Sequence, residues 1–142
     1  MEFRNHLKKR GNTKKPNHKQ TINIMTQSIP QFKTDPIIVL LLGIITCGLY
    51  LIYWNIKASQ VINAVAEKEV ISQPIAIFAG CCLPVNLYFY YLVGKEGLPK
   101  IYEKTGQANK DQSTLLLILG FIFPMVAAMI VQAEINKLYD QN

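Results

Sequence analysis

The stretch Pro36–Ile56, PIIVLLLGIITCGLYLIYWNI, runs for 21 residues without a charge and includes twelve Ile, Leu and Val residues. A helix of roughly 20 residues can cross a hydrocarbon core of about 30 Å. Two further uncharged stretches follow, at 70–94 and 112–133. Because a soluble domain of this length rarely contains three such runs, the sequence predicts an all-α membrane protein with three transmembrane helices.

The spans are placed at about 36–56, 74–94 and 113–133, since each then begins close to a short polar side chain that can cap a helix. The middle span is the weakest of the three. Pro84 removes a backbone hydrogen bond there, and Asn86 lies at mid-depth. Proline is nevertheless tolerated in membrane helices whose neighbours satisfy the freed backbone groups.

Charged residues lie mainly outside these stretches. Residues 1–35 hold eight of the fifteen Lys and Arg residues and two acids, whereas the remainder of the chain has seven of each sign. Residues 1–34 also lack apolar periodicity, so they are predicted to form a disordered basic tail ahead of a membrane domain at 35–142. The basic cluster from Lys8 to Lys19 suits contact with anionic lipid headgroups, and we favour this partner over nucleic acid.

The orientation follows from counting Lys and Arg on alternate sides of three spans. With the N-terminus in the cytoplasm, that side holds twelve basic residues, eight from the tail and four from the second loop, against three on the other side. Positive charge near the ends of spans favours the cytoplasmic side. We therefore expect a multi-pass protein of the cell membrane with a cytoplasmic N-terminus and an external C-terminus.

Both connecting loops carry a helical pattern. The first loop places three aliphatic residues on one helix face: Val61, Ile62 and Val65. The second loop does the same with three larger residues: Leu98, Ile101 and Tyr102. Pro99 favours a helix start at the second loop, and Gly106 favours a helix end. The sequence thus predicts a short interfacial helix in each loop.

Residues that could carry chemistry are few. The three cysteines lie inside the predicted spans, without further ligands at metal-binding spacing, and packing as small residues is their favoured role: Cys47, Cys81 and Cys82. The chain has no phosphate-binding glycine loop, nucleophile elbow or HExxH pattern. No catalytic, cofactor-binding or metal-binding residue is therefore assigned, no cofactor is expected, and a non-enzyme is the favoured class.

Four polar side chains inside the spans are the remaining candidates for a functional site: Thr46, Asn55, Asn86 and Gln132. Such groups can line a substrate path, or they can form hydrogen bonds between helices. Because no ionisable side chain accompanies them in the spans, we favour the packing role.

A resemblance to a known family rests on both ends of the membrane domain. DPIIVLLLGIITCGLYLIYWNIK at 35–57, followed by Val61-Ile62-Asn63, resembles the opening signature of the bacterial and archaeal membrane family catalogued as domain of unknown function 4234. IVQAEINKLY at 130–139 resembles that family's closing stretch. The resemblance implies a small multi-span membrane protein and brings no established activity, cofactor or catalytic residue. Met25 is a second candidate translation start, because the family-like region begins after it.

Two functions of different classes fit these observations. The first is a non-catalytic membrane protein that acts through lateral partners, in envelope maintenance or in immunity to a membrane-active toxin. The second is an oligomeric transport or channel component. A shift of 38 residues superposes Pro36 on Pro74 and Tyr50 on Tyr88, which would make an inverted repeat, although shared membrane-helix composition is the favoured explanation. The expected partners are the lipid bilayer and either further copies of the chain or another membrane protein.

Overall fold

The computed structural model describes residues 29–141, and within this range all regular structure is helical. The α-helices are α1 (Pro36–Ile45), α2 (Leu49–Ala66), α3 (Gln73–Ala79), α4 (Leu83–Leu92), α5 (Leu98–Thr105), α6 (Ser113–Ile122) and α7 (Pro124–Lys137), with a π-helical turn at Val93–Gly97. The predicted all-α class is confirmed. The basic cluster Lys8 to Lys19 and the alternative start Met25 lie outside the described residues.

Each predicted span consists of two helices. The chain leaves the helical conformation at 46–48, at 80–82 and at Phe123, which we call the three tips. Among residues 29–141, no helix combines the length and the apolar character needed to cross a membrane. The three transmembrane helices predicted from the sequence are not confirmed.

Local conformation explains two of the interruptions. At the first tip, Cys47 (φ 51°) and Gly48 (φ 91°) both adopt left-handed backbone conformations, which reverse the chain direction. At the third tip, Phe123 is extended (φ −139°, ψ 75°) because it precedes Pro124, whose ring disfavours the helical conformation of the residue before it. The hydropathy of the sequence is not changed by either feature, so each span was predicted as one continuous helix.

Both ends of the middle apolar segment lie beside the same part of α2. At its start, the Asn63 amide donates to the Ile71 carbonyl at 2.8 Å. At its end, a Cβ added to Gly97 would lie 3.1 Å from Ile62 Cγ2. Because Ile62 and Asn63 are neighbours on α2, the segment between them is a helical hairpin made of α3 and α4.

The first segment also folds back. The Gln132 side chain donates to the Phe32 carbonyl at 3.0 Å, just before α1. Its Oε1 accepts a hydrogen bond at 2.8 Å from the Trp54 indole N–H, which lies beyond the first tip. One side chain of α7 thus touches both ends of the first segment, and α1 with the first part of α2 forms a second hairpin.

The third segment completes the pattern. Gln112, directly before α6, and Glu134, near the end of α7, line one pocket together with Tyr102. Lys137 donates to Gln107 Oε1 at 3.1 Å, which again joins the end of the segment to the loop before it. Helices α6 and α7 therefore form another hairpin, and each segment returns to the side on which it began. In chain order, hairpin 1 is α1 with the first part of α2, hairpin 2 is α3 with α4, and hairpin 3 is α6 with α7.

The ends of all three hairpins meet in a single region, the polar cap, formed by residues 29–35, 57–72, 93–112 and 134–141. The ion pairs found within the described residues all belong to it: Lys33–Asp140, Lys68–Glu96, Lys95–Asp111, Lys100–Glu103, Lys104–Glu67 and Lys137–Glu134. Since Lys33 precedes α1 and Asp140 follows α7, both ends of the described chain lie at the cap. Three crossings would have placed them on opposite sides.

The two loop helices are confirmed. Helix α2 continues through the first loop to Ala66, and α5 spans the second with its apolar face buried. Gly106 ends α5 in a left-handed conformation (φ 66°), as its position predicted. Among the described residues, the largest fully buried side chains come from five helices and the first loop, which form one core: Trp54, Ile62, Ile71, Phe89, Tyr90, Leu98, Ile101, Leu116 and Ile135.

One further expectation differs from the structure. Residues 29–34, assigned to the tail from composition, pack against α7 and the residues that follow it. Just after α7, the Tyr139 hydroxyl donates to the Pro30 carbonyl at 2.5 Å and accepts from the Phe32 N–H at 3.1 Å. A 38-residue repeat would place the second interruption at 84–86, whereas it lies at 80–82. The possible repeat, for which shared membrane-helix composition was the favoured explanation, therefore does not extend to the positions of the helix breaks.

Candidate functional site

The polar side chains near the tips satisfy backbone groups that the helix breaks leave free. Pro124 has no N–H, so the Gly120 carbonyl, four residues earlier, has no partner in its own helix. Asn86 Nδ2 donates to that carbonyl at 2.7 Å, and the Tyr90 hydroxyl donates to the Pro124 carbonyl at 2.8 Å. Both donors come from α4, which packs along α6. Hairpin 2 therefore completes the hydrogen bonding of hairpin 3.

Thr46 has a similar role within the first tip. Its hydroxyl donates to the Leu42 carbonyl at 2.6 Å and accepts from the Tyr50 N–H at 3.0 Å. One side chain thus bonds to the last turn of α1 and to the first turn of α2. This arrangement stabilises the reversal and keeps its backbone groups hydrogen-bonded.

Replacing Asn86 with Leu is expected to lower the free energy of unfolding by about 2 kcal/mol, because the Gly120 carbonyl would remain buried without a donor. Unfolding in detergent micelles can be followed through the fluorescence of Trp54, the single tryptophan of the chain. The matched control is Asn109→Leu, at an exposed position of the second loop. Equal stability of the two variants would contradict the assigned role of Asn86.

Gln132 is the centre of a second polar network, nearer the cap. Besides Trp54 and Phe32, it donates to Asn136 Oδ1 at 2.9 Å, and Asn136 Nδ2 donates to the Thr34 carbonyl at 2.8 Å. Gln132 is fully buried. The network joins α2, α7 and the segment before α1, and every polar atom of the Gln132 side chain takes part in it.

The four predicted candidates do not form one site. Thr46 and Asn86 act near the tips, while Gln132 lies closer to the cap. Asn55 is also buried, and its Oδ1 has no hydrogen-bond partner among the described residues. Of the four, Asn86 alone lines the pocket at the tips described next. Thr46 and Gln132 form hydrogen bonds that join separate elements of the fold.

A pocket of about 230 Å³ lies where the tips converge. It is lined by residues from all three hairpins, among them Cys47 and Gly48, Gly80 to Cys82, and Pro124 with Met125. All three cysteines are exposed here, which differs from the buried packing role expected from the sequence. Residues 29–141 contain no group of three or more His, Cys, Asp and Glu side chains that could hold a metal ion.

Two further pockets lie in the polar cap, with volumes of about 350 and 220 Å³. Near them, hydrogen bonds from the Ser113 hydroxyl and N–H, together with Lys95, lower the pKa of Asp111 to about 2. Burial, with Glu134 nearby, raises the pKa of Tyr102 to about 12. Asp111 is therefore ionised and Tyr102 protonated at neutral pH, and neither is poised to exchange a proton there.

Sequence reasoning missed four residues of these networks: Trp54, Tyr90, Asn136 and Tyr139. In a membrane protein, Trp and Tyr near the end of an apolar segment favour the boundary between lipid and water, so hydrogen bonds of Trp54 and Tyr90 within the protein are not evident from the sequence. A usable signal did exist for Tyr90. Pro124 inside an apolar helix requires an outside donor for the carbonyl four residues earlier, and Asn and Tyr are among the few donors in the neighbouring segment.

Comparison with known proteins identifies the family of this chain. Searches of curated proteins and of solved structures gave no match. Residues 35–137 match the family described as "Domain of unknown function (DUF4234)", which covers the three hairpins and both loops. This chain belongs to that family.

Proposed function

We propose that this chain is a non-catalytic membrane protein that inserts its three helical hairpins into one leaflet of a bilayer and acts through partners in that membrane. A role in envelope maintenance or in immunity to a membrane-active agent fits such a protein. One observation carries the proposal. Both ends of every apolar segment lie in the polar cap, while the tips lie at the opposite end of the hairpins.

The exposed apolar surface supports a lipid environment. Within the described residues, all large exposed hydrophobic side chains lie in the hairpins: Ile37, Ile38, Leu41, Ile44, Ile45, Leu49, Tyr53, Ile77, Phe78, Leu83, Tyr88, Tyr91, Leu115, Leu117, Ile118, Phe121, Ile122 and Phe123. Apolar surface of this extent is unfavourable in water. The ion pairs lie in the cap, so charge and apolar surface occupy different ends of the molecule.

The length of the arms favours one leaflet. Helices α1, α4 and α6 each have 10 residues. Ten helical residues are about 15 Å long, which is half of a hydrocarbon core of about 30 Å. With the cap at the headgroups, the tips would lie near the middle of the bilayer.

Two details agree with this depth. The hydrogen bonds made by Thr46, Asn86 and Tyr90 pair the backbone groups at the tips, as a hydrocarbon environment requires. Tyr88 and Tyr91 are exposed towards the cap end of α4, where aromatic rings favour the boundary between lipid and water.

The proposal changes the expected topology. Both ends of the chain would lie on the side of the cap, and the positive charge of the sequence favours the cytoplasm for that side. The basic tail would then be close to anionic headgroups of the same leaflet. For a transport component, by contrast, the four polar candidates would need to share a path, and their contacts run between helices of separate pairs.

The test uses two single cysteines in a background with Cys47, Cys81 and Cys82 replaced by Ala. Glu69 lies in the first loop and Asn109 in the second, and both are exposed. We expect an impermeant maleimide to spare Glu69→Cys and Asn109→Cys in intact cells and to label both after permeabilisation. Three crossing spans would instead place the two positions on opposite sides, so labelling of one alone in intact cells would overturn the hairpin arrangement.

The natural cysteines supply the control for insertion. All three are exposed at the tips of the isolated chain, so in water they should react readily. In the membrane they should be protected from impermeant maleimide on both sides and react only after detergent denaturation. Rapid labelling of Cys47 in sealed membranes from either side would show that the tips are not in lipid.

A further inference from the structure

From the distribution of bulk between cap and tips, we propose that the protein bends the leaflet that holds it and accumulates where that leaflet is already convex. This inference rests on the proposed insertion into one leaflet. It depends on two properties of the described residues: the arms end near the middle of the bilayer, and the molecule is wider at the cap than at the tips.

Glycines allow close contacts between the hairpins at both ends of the molecule. Near the tips, close contacts would be blocked by any larger residue: a Cβ would lie 2.2 Å from Ile52 Cγ1 at Gly80, 2.6 Å from Tyr90 Cδ2 at Gly120 and 3.0 Å from Met125 Cγ at Gly43. These three contacts join hairpin 2 to α2, hairpin 2 to hairpin 3, and hairpin 1 to hairpin 3. In the cap, a Cβ would likewise lie 2.5 Å from Ser113 Cα at Gly94 and 3.1 Å from Ile62 Cγ2 at Gly97. The glycines therefore bring the hairpins together at both ends, and the difference in width comes from the elements that lie at the cap alone.

The wide end contains additional elements. Helix α5, the π-helical turn and the two loops lie beside the hairpin ends and never enter the tip region. Lys104 of α5 pairs with Glu67 of the first loop at 3.3 Å, and Gln141 donates to the Thr105 carbonyl at 2.6 Å. The bulky core residues Trp54 and Tyr102 also lie at this end. The cross-section thus increases from tips to cap.

A wedge of this kind has a mechanical effect on lipid. Six helical arms, each about 10 Å across, would add roughly 500 Å² to one leaflet and nothing to the other. An expanded leaflet relieves its excess area by curving outward, and proteins inserted at the interface are sensitive to curvature for this reason. The occupant of the apolar hairpin surface is therefore the acyl region of a convex leaflet.

The experiment uses the full chain labelled with a fluorophore at Asn109→Cys in the cysteine-free background. Labelled protein is diluted from detergent into a mixture of small sonicated and large extruded phosphatidylcholine vesicles, in high salt so that the basic tail contributes little. An impermeant quencher confirms that the cap is outside. We expect roughly threefold or more protein per lipid on the small vesicles, and tubules in electron micrographs of large vesicles at high protein density.

Three outcomes are distinguished. Insertion with equal density on both vesicle sizes would overturn the curvature proposal and leave the hairpin arrangement intact. Failure to insert into either size would overturn both proposals. A preference that appears only with added phosphatidylglycerol at low salt would assign curvature sensing to the tail and also overturn the wedge.

A pair of variants distinguishes the contribution of the hairpins to the curvature preference from that of the cap. Phe121 and Phe123 at the third tip are 62% and 60% exposed, so Ser at both positions should leave the fold intact and reduce the preference for small vesicles at least twofold. The matched variant, Lys110→Ser with Glu69→Ser, changes two exposed cap residues and should retain the preference. Circular dichroism confirms that both variants remain helical.

Discussion

Gly94→Ala is expected to destabilise the protein by about 3 kcal/mol, because the added methyl group would collide with backbone that cannot rotate away. A Cβ at Gly94 would lie 2.5 Å from Ser113 Cα and 2.8 Å from Ser113 N. Gly94 is buried in the π-helical turn after α4, and Ser113 is the first residue of α6. The substitution would therefore separate the end of hairpin 2 from the start of hairpin 3.

The matched control is Gly106→Ala. No atom lies within 4 Å of a Cβ there, but the φ of 66° strains any other residue, so a loss of about 1 kcal/mol is expected. Both variants can be compared by titrating the folded protein with a denaturing detergent and following Trp54 fluorescence. If Gly94→Ala were no less stable than Gly106→Ala, the close contact between the two hairpins would not exist in solution.

Predictions from the sequence were correct where a single residue determines the local backbone conformation. Asp35 caps α1 through a hydrogen bond from the Ile37 N–H at 2.9 Å, as its position before Pro36 indicated. Gly106 ends α5 and the apolar face of that helix is buried, as the spacing of its residues predicted. In each case, the same few residues determine both the pattern and the structure.

The direction of the chain after each tip could not be predicted in the same way. An apolar segment that forms one continuous helix has the same hydropathy as one that folds back on itself, because in both cases the apolar residues lie in the same region. Pro84 and Asn86 were identified in the sequence as features that weaken the middle span. The role of Asn86, however, depends on Pro124, which lies in a different segment. Only the contact between α4 and α6 shows that the amide of one segment completes the backbone of another.

Similarly, the topology expected from the count of basic residues depends on how the apolar segments are arranged. It compared alternate sides of three spans and found an excess near the N-terminus. The rule assumes that each apolar segment crosses. In the structure the segments fold back, so Lys68, Lys104 and Lys137 share the cap. In the proposed membrane arrangement, the charge then bears only on which side of the membrane the cap faces.

Gln132→Leu should be the most disruptive polar substitution, with an expected loss of about 3 kcal/mol. Leu has a similar volume but leaves the Trp54 indole N–H and the Phe32 carbonyl buried without partners, and each unpaired group contributes about 1–3 kcal/mol. The segment before α1 would lose one of its attachments to α7. Trypsin cleavage after the exposed Lys33 should therefore become faster in the variant than in the parent protein.

The control is Gln60→Leu, the same chemical change at an exposed position of α2. It should leave both the stability and the rate of cleavage at Lys33 nearly unchanged. A double-mutant cycle with Asn136→Ala sharpens the test, because the two side chains share one network and their effects should not add. Additive losses, or a Gln132→Leu protein as stable as Gln60→Leu, would mean that hairpin 1 is joined to α7 by apolar contacts alone. In that case the close approach of Phe32 and Trp54, which shows that the first segment folds back, would need a different explanation.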